Sequence, residues 1–140
     1  MTEPYALFDR LPTPEEHRRL AEAVGWGEAF DWDTTPASLD GSLAGVVAFA
    51  GDEIVGMGRL VGDGAKYFYV QDVAVLPDRQ GAGIGAAVVR RLLDHIARTV
   101  PSTAFVGLFA TDGAVPLYER HGFGHGDMAG MFRLVEPNEP

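Results

Sequence analysis

The sequence predicts an α/β protein with a mixed sheet, in which antiparallel hairpins come first and a parallel strand–helix–strand unit follows. The chain has 140 residues, of which 46% are hydrophobic and 10% aromatic, so residues 1–140 are expected to form a single domain. From residue 45 the apolar residues follow the period of strands, and residues 83–100 carry a helical apolar stripe. A strand pattern lies on each side of that helix, which indicates a right-handed crossover and a locally parallel pair.

The N-terminal third predicts one weak strand and two helices. Residues 5–8 form a short apolar run, which is a weak strand signal. Thr13 can cap a helix whose first residue is Pro14, and Glu16 completes a capping box. A short second helix is expected to begin near Thr35, inside a stretch that otherwise mixes aromatic and acidic residues.

The middle of the chain predicts the main strands. Residues 46–50 and 54–61 are expected to pair as a hairpin around a Gly-Asp turn. Residues 67–76 give the strongest strand signal, because they are rich in aromatic and β-branched side chains, and Pro77 ends the strand. Residues 104–110 read as a further buried strand on the far side of the long helix.

The C-terminal part predicts a short helix and two final strands. The helix should begin no earlier than about Gly113, because Pro116 cannot donate to a helical hydrogen bond. It is expected to end at His121, and residues 123–126 and 131–135 are expected as strands. With these elements about four helices flank a mostly antiparallel sheet.

Composition and charge exclude several function classes. The chain has no Cys, so a disulfide framework, a thiolate zinc site and a Cys nucleophile are excluded, and its four His residues are too scattered to predict a metal site. The net charge of −9 opposes binding to nucleic acid. The longest apolar stretch, residues 43–50, is far shorter than the roughly 20 residues of a membrane span. We therefore expect a cytoplasmic protein with neither a nucleic-acid nor a membrane partner.

The informative segment is a glycine-rich loop between a strand and a helix. Gly81, Gly83 and Gly85 permit positive φ angles and let backbone N–H groups approach a ligand closely. The following helix adds free N–H groups and the positive end of its dipole, so the pattern predicts an anion site of the phosphate-binding type. A dinucleotide fingerprint is only weakly matched, and a Walker loop fails because the single lysine is Lys66.

Two sequence blocks stand out around the long helix. The first is Val-x-Val-x-Pro followed by Gln-x-x-Gly-x-Gly, matched by Gln80, Gly83 and Gly85, and the second is LYERHGF at residues 117–123. In their order and separation the two blocks resemble the GNAT superfamily of N-acetyltransferases, and the resemblance runs over roughly residues 45–135. Thr111 stands where the family often has Asn, and Pro116 is unusual inside the later helix.

The resemblance implies a GNAT-type acyl-CoA N-acyltransferase fold with acetyl-CoA as the acyl-donor cosubstrate and no metal. The diphosphate would lie on the loop amides, the pantetheine arm would pair with the preceding strand, and the N–H of Val73 would face the acetyl oxygen. The residues that the resemblance assigns to acetyl-CoA are Val73, Ala74, Val75, Gln80, Gly81, Ala82, Gly83, Ile84, Gly85 and Ala86.

Tyr118 and Asp72 are the expected catalytic residues. Tyr118 matches the position that the family uses as the general acid for the leaving thiolate. Alternatively, its ring only packs on Phe123 where the helix ends. Asp72 is a carboxylate in an apolar strand, so it either faces a cleft as the general base or bonds to a neighbouring strand or loop.

The acceptor would be held by aromatic and acidic residues of the first helical region. Such residues suit a cationic amine, and the family often builds its acceptor pocket there; the alternative is a surface loop whose Trp side chains plug the core. The expected acceptor residues are Trp26, Phe30, Asp31, Trp32 and Asp33. Elsewhere, His17 and His95 are expected on helices with exposed or partly buried rings.

The expected function is transfer of an acetyl group from acetyl-CoA to a primary amine, preferably a small molecule, by direct attack in a ternary complex. The alternatives are a non-catalytic acyl-CoA-binding regulatory module of the same fold and a nucleotide-phosphate enzyme that uses the same loop. A homodimer that completes the acceptor pocket is a further expectation, and it rests on the family alone.

Overall fold

A computed structural model of the chain describes residues 4–138. The two ends of the expected 1–140 domain lie outside the described residues. The elements are β1 (Ala6–Phe8), α1 (Pro14–Ala23), α2 (Thr35–Asp40), β2 (Ala44–Ala50), β3 (Glu53–Gly62), β4 (Tyr67–Val75), α3 (Ile84–Thr99), β5 (Phe105–Gly107) and α4 (Val115–Glu119). Two short 3₁₀ helices, Gly27–Ala29 and Pro77–Arg79, complete the set.

The five strands form one mixed sheet in the order β1-β2-β3-β4-β5. The first four strands are antiparallel to their neighbours, and β5 runs parallel to β4, with Tyr67 opposite Phe105. Helix α3 connects the two parallel strands. The predicted fold class is therefore confirmed: the protein is α/β, its sheet is mostly antiparallel with one parallel pair, and residues 4–138 contain four α-helices.

The chain divides into two compact units. The first ends at Leu108 and contains the whole sheet with α1, α2 and α3, and the second begins at Phe109 and contains α4. Each unit is described by itself below. The expectation of a single domain over the whole chain stays a prediction.

In the first unit, α3 packs on one face of the sheet and α1 with α2 on the other. A Cβ atom at Gly58 would fall 2.7 Å from Val88 Cγ1, so this glycine lets α3 approach β3 closely. The next residue, Arg59, bonds to Ser38 of α2, as the alternation of side chains along a strand requires. The core between these layers includes the fully buried side chains of Leu20, Val46, Val47, Val55, Met57, Leu60, Phe68, Val88, Val89 and Leu92.

The close approach of α3 to β3 gives a stability prediction. We expect Gly58→Ala to lower the free energy of unfolding by about 1–3 kcal/mol, because the new methyl group overpacks a filled core. Urea denaturation measures the change. Gly124→Ala is the control, since a Cβ atom at Gly124 meets no atom within 4 Å, and it should change stability little. Equal stabilities for the two variants would show that the contact is not tight.

The predicted start of α1 is confirmed in detail. The Glu16 backbone N–H donates to Thr13 Oγ1 at 3.1 Å, and the Thr13 N–H donates to Glu16 Oε1 at 2.9 Å. These two reciprocal bonds satisfy amide groups that a helix leaves unpaired at its N-terminus. The short second helix near Thr35 and the long helix after the glycine-rich loop are also confirmed.

The predicted final strands are wrong. Within the second unit, residues 123–126 and 131–135 have no strand structure. A strand needs a partner backbone, and the apolar side chains of the later segment are instead 76–86% exposed: Met131, Phe132, Leu134 and Val135. In the earlier segment Gly126 takes a φ of +59°, which a regular strand does not contain.

Candidate active site

The site is built on a β-bulge in β4. Ala74 lies opposite Met57 and Gln71 lies opposite Arg59, so two residues of β4, Asp72 and Val73, oppose the single residue between Met57 and Arg59. Asp72 has a φ of +56° and is the one non-glycine residue among residues 4–138 with a positive φ. A strained backbone of this kind costs free energy and is common at functional sites.

At the bulge Asp72 lies between two basic side chains. Its Oδ2 accepts a hydrogen bond from Arg59 Nε at 2.7 Å and another from His17 Nε2 at 3.0 Å. Burial by itself raises the pKa of Asp72, but the hydrogen bonds from His17 and Arg59 and the charge of Arg59 outweigh it, so the pKa is lowered. The carboxylate is thus ionised at neutral pH, and it binds a proton more weakly than the carboxylate of an unperturbed Asp.

Arg59 connects this network to α2. Its Nη1 donates to the Ser38 carbonyl at 3.2 Å and to Ser42 Oγ at 2.9 Å, and its Nη2 donates to Ser38 Oγ at 3.3 Å. Arg59 is not among the site residues predicted from the sequence. The available signal was a lone charge inside the apolar strand β3, which requires a buried partner.

His17 is more buried than expected, with 1% exposure. It lies on the same helical face as Leu20 and Ala21, which are fully buried, and this spacing was the signal that its ring faces the sheet. Because an ionised carboxylate can only accept, Nε2 carries the hydrogen that bonds to Asp72, and in the neutral ring Nδ1 then has a free lone pair. Nδ1 is buried and has no hydrogen-bond partner among the described residues.

A cavity of about 210 Å³ lies between α1, α2 and the segment that joins them. Its walls include His17, Phe30, Asp31, Thr35, Ser38 and Arg59.

Of the five expected acceptor residues, the structure brings Phe30 and Asp31 to this cavity. Trp32 stacks on Phe30 at 5.3 Å and is covered by the guanidinium of Arg18 at 4.9 Å. Trp26 precedes the first 3₁₀ helix, and Asp33 donates its backbone N–H to Asp31 Oδ1 at 3.0 Å.

The glycine-rich loop presents a row of backbone donors. Gly81 and Gly83 take φ angles of +85° and +87°, which only glycine adopts at little cost. The first paired amide of α3 belongs to Ala87, which donates to the Gly83 carbonyl at 3.0 Å. The amides of residues 81–86 have no protein acceptor among residues 4–138. Gln80 connects the loop to the end of β4, since its Nε2 donates to the Val75 carbonyl at 3.1 Å.

One edge of β4 is open beside this loop. The parallel partner β5 pairs only with Tyr67, Phe68 and Tyr69. Beyond these residues no described strand pairs with that edge, and the unpaired part includes Val73, Ala74 and Val75. Unpaired strand edges can bind an extended ligand through its backbone-like amides.

Tyr118 closes α4 in the second unit. The Phe123 N–H donates to the Tyr118 carbonyl at 3.1 Å, Gly122 has a φ of +88°, and the two aromatic rings are 5.9 Å apart in an edge-to-face arrangement. This is a Schellman ending, so the expected packing of Tyr118 on Phe123 is observed. Burial raises the pKa of Tyr118, and its hydroxyl therefore stays protonated at neutral pH.

Residues 4–138 show neither a cluster of metal ligands nor a membrane-spanning helix. No group of three or more His, Cys, Asp or Glu side chains there is placed to hold a metal ion. None of the helices in this part of the chain has both the length and the apolar character that a bilayer crossing requires.

Comparison with known proteins identifies curated relatives. The chain is 32% identical over 53% of its length to an uncharacterised N-acetyltransferase of Pyropia yezoensis, and this match covers 41% of that protein. It is 28% identical over 84% of its length to a similar uncharacterised N-acetyltransferase of Prochlorococcus marinus, of which it covers 67%. The chain thus spans about two fifths of the first relative and two thirds of the second.

Solved structures share the fold over nearly the whole chain. A protein of unknown function from Staphylococcus aureus has a TM-score of 0.85 and 27% identity, over 94% of this chain and 100% of its own. A GNAT family acetyltransferase from Streptococcus pneumoniae has a TM-score of 0.81 and 29% identity, over 96% and 100%. A GNAT family acetyltransferase from Brucella melitensis in complex with acetyl-CoA has a TM-score of 0.67 over 88% and 84%, and at 21% identity it shows the fold alone.

The family model described as "Acetyltransferase (GNAT) family" matches residues 6–123. This span includes the bulged strand β4, the glycine-rich loop and α4. The chain therefore belongs to the GNAT acetyltransferase family.

Proposed function

We propose that the protein transfers an acetyl group from acetyl-CoA to a primary amine by direct attack in a ternary complex. The observation that carries this proposal is the row of unpaired amides at residues 81–86, which lies at the N-terminus of α3 and next to an open strand edge. Membership of the GNAT family supports acetyl transfer, and the Brucella melitensis neighbour is bound to acetyl-CoA.

The donor would be held mainly by backbone groups. Free N–H groups and the positive end of a helix dipole favour a diphosphate even on a protein with a net charge of −9. The pantetheine arm would lie along the open edge at Val73, Ala74 and Val75, which would bring the thioester to the bulge. The assigned donor residues are the ten that the family resemblance implies, with Gln80 in a supporting position because it bonds to Val75.

The reaction would proceed in three steps, in which the family resemblance assigns the part of general acid to Tyr118. The neutral amine attacks the thioester carbonyl, the C–N bond forms, and the Val73 N–H stabilises the developing oxyanion. The C–S bond then breaks, and the coenzyme leaves as a thiolate that takes a proton from Tyr118. Tyr118 recovers its proton from the nitrogen of the new amide. The products are the acetylated amine and free coenzyme A.

A thiol-release assay tests the proposal. Acetyl-CoA is incubated with the protein and a panel of primary amines, and free coenzyme A is measured. Release that depends on both protein and amine is the expected result. Binding of acetyl-CoA without release for any amine would contradict enzymatic function and would favour the non-catalytic acyl-CoA-binding module, a reading that is supported by the structural use of Tyr118 at the end of α4.

Tyr118→Phe tests the general acid. We expect about tenfold lower kcat with unchanged acetyl-CoA affinity, since the leaving thiolate, whose conjugate acid has a pKa of roughly 8.5, departs slowly without a proton. Folding should be retained, because the Phe ring preserves the contact with Phe123. Steady-state kinetics and thermal unfolding give both values. An unchanged kcat would remove Tyr118 from the mechanism.

The cytoplasmic location and the homodimer remain proposals. The first rests on the composition of the sequence, and the second on the family resemblance alone. Sedimentation of the purified protein measures the oligomeric state directly.

A further inference from the structure

One side chain in the wall of the cavity beside α1 has a buried nitrogen that no described residue satisfies. His17 is 1% exposed and forms part of the cavity wall, and its Nδ1 has no hydrogen-bond partner among the described residues. A buried polar atom without a partner costs free energy, so its retention calls for an explanation. When the ring is neutral and its Nε2–H is donated to Asp72, the unsatisfied atom is an acceptor, and a ligand that satisfies it must bring a donor.

The rest of the wall indicates the charge of that ligand. Arg59 is the one cation among the described residues that line the cavity, and four of its five N–H groups are already donated to Asp72, Ser38 and Ser42. Little hydrogen-bonding capacity therefore remains for an anionic group. Asp31 adds a carboxylate to the wall and is itself exposed, which favours a cation.

The cavity volume limits the size of the ligand. A volume of about 210 Å³ corresponds to about seven non-hydrogen atoms, if each takes roughly the 30 Å³ of a liquid water molecule. Only one end of a peptide or an aminoglycoside acceptor would fit inside this volume. Phe30 supplies an apolar surface on which a short alkyl chain can pack.

We propose that this cavity binds a small primary amine without an acidic group, and that His17 is the base that deprotonates it. This inference rests on the proposed function. The ammonium group donates to Nδ1, and its proton moves to that nitrogen. The imidazolium that forms keeps its Nε2–H bond to Asp72, whose negative charge stabilises it. The lone pair released on the amine is the nucleophile of the acetyl transfer, and the proton leaves to solvent when the product departs.

This arrangement gives Asp72 a role other than that of the general base, which was expected from the sequence. Its Oδ2 is occupied by Arg59 and His17, so it orients the imidazole and fixes its tautomer. Asp72 is then a positioning residue, and His17 is the catalytic residue that touches the substrate. In many enzymes an Asp–His pair activates a nucleophile. One imidazole nitrogen bonds to the carboxylate, and the other is free to accept the proton of the nucleophile.

His17→Asn, compared with His95→Asn on α3, tests the base. With hexylamine as the acceptor, we expect kcat/KM to fall about 100-fold in His17→Asn and less than twofold in the control. The rate of His17→Asn should rise with pH in proportion to the fraction of neutral amine, because this variant has no base that deprotonates the ammonium form. The charged groups around His17 are Asp72 from β4, Arg59 from β3 and Asp31, and the two variants leave all three in place.

A matched pair of acceptors tests the ligand class. Hexylamine and 4-aminobutanoate both have seven non-hydrogen atoms, and only the second carries a carboxylate. We expect wild-type kcat/KM to be at least tenfold higher for hexylamine, and a pentapeptide amine to be a poor acceptor. Equal use of the three amines would overturn the assignment of the cavity.

A spectroscopic measurement separates this inference from the proposed function and does not depend on the variants folding. The ¹⁵N resonances of the His17 ring in the wild-type protein should show Nε2 protonated and Nδ1 unprotonated, and hexylamine should shift Nδ1. If Nδ1 shifts but no amine releases coenzyme A, the cavity assignment stands and the proposed function fails. If coenzyme A is released while Nδ1 is protonated or does not respond to hexylamine, the proposed function stands and this inference is wrong.

Discussion

Arg59→Met should lower the free energy of unfolding by about 3–5 kcal/mol at pH 7, a large fraction of the stability of a small domain. The substitution removes one of the two partners of a buried carboxylate, because Arg59 Nε lies 2.7 Å from Asp72 Oδ2 and both side chains are 11% exposed. The three bonds from Arg59 to Ser38 and Ser42 are lost as well. Urea denaturation at pH 7 measures the loss.

The same variant should change the pH dependence of stability. In the wild type the pKa of Asp72 is lowered, so its ionised form stabilises the fold above the unfolded pKa of about 3.9, and this contribution is lost as the pH falls through the folded value. Without Arg59 we expect burial to raise the pKa of Asp72 instead. Acid then protonates the folded state more readily than the unfolded state. The difference in stability between variant and wild type should therefore shrink from pH 7 to pH 4.

Arg19→Met is the matched control. Arg19 Nη2 lies 2.7 Å from Glu53 Oε2, the same distance as in the buried pair, but the two side chains are 57% and 42% exposed. Exposed ion pairs contribute about 0–1 kcal/mol. If the two substitutions cost the same, burial does not determine the strength of the Arg59–Asp72 pair.

Gly83→Val should weaken acetyl-CoA binding about 100-fold. A β-branched residue does not adopt the φ of +87° that Gly83 has, so the loop must change its path and its amides turn away from the diphosphate. A hydrogen bond to a charged group contributes about 1.5–3 kcal/mol, and 1.4 kcal/mol is a factor of ten in affinity. Loss of one or two such bonds gives the expected change. Isothermal titration calorimetry measures it.

Gly25→Val is the control that shows how much of the effect comes from backbone strain alone. Gly25 also has a φ of +87°, and a Cβ atom at either glycine meets no atom within 4 Å. Both variants should therefore lose similar stability, while only Gly83→Val loses affinity for acetyl-CoA. Similar affinities in the two variants would mean that the loop amides do not hold the coenzyme.

Most of the fold could be predicted because local signals and the global pattern agree. The capping box at Thr13 fixes the start of α1, and the strand–helix–strand spacing around α3 requires the parallel pair of β4 and β5. The prediction of the final strands failed because the local signal and the global pattern disagree. Residues 131–135 have an apolar composition typical of strands, but whether a strand forms depends on a free sheet edge, which a local pattern does not contain.

The candidate site was only partly predictable. The glycine-rich loop is contiguous, so its residues and their positive φ angles follow from the sequence. The His17–Asp72–Arg59 network joins α1, β4 and β3, and its members are 13 to 55 positions apart. A lone charge in β3 and a histidine on an apolar helical face each indicate that a partner is required. Neither signal identifies that partner, because the pairing depends on the three-dimensional register at the bulge.

The central claim is that the unpaired amides of residues 81–86 hold the coenzyme diphosphate while the open edge of β4 aligns the thioester. A crystal structure of the protein with acetyl-CoA tests it most directly. The claim predicts diphosphate oxygens within about 2.7–3.2 Å of these amide nitrogens and the acetyl oxygen beside the Val73 N–H. Acetyl-CoA bound at another surface, with the loop amides facing only solvent, would contradict it.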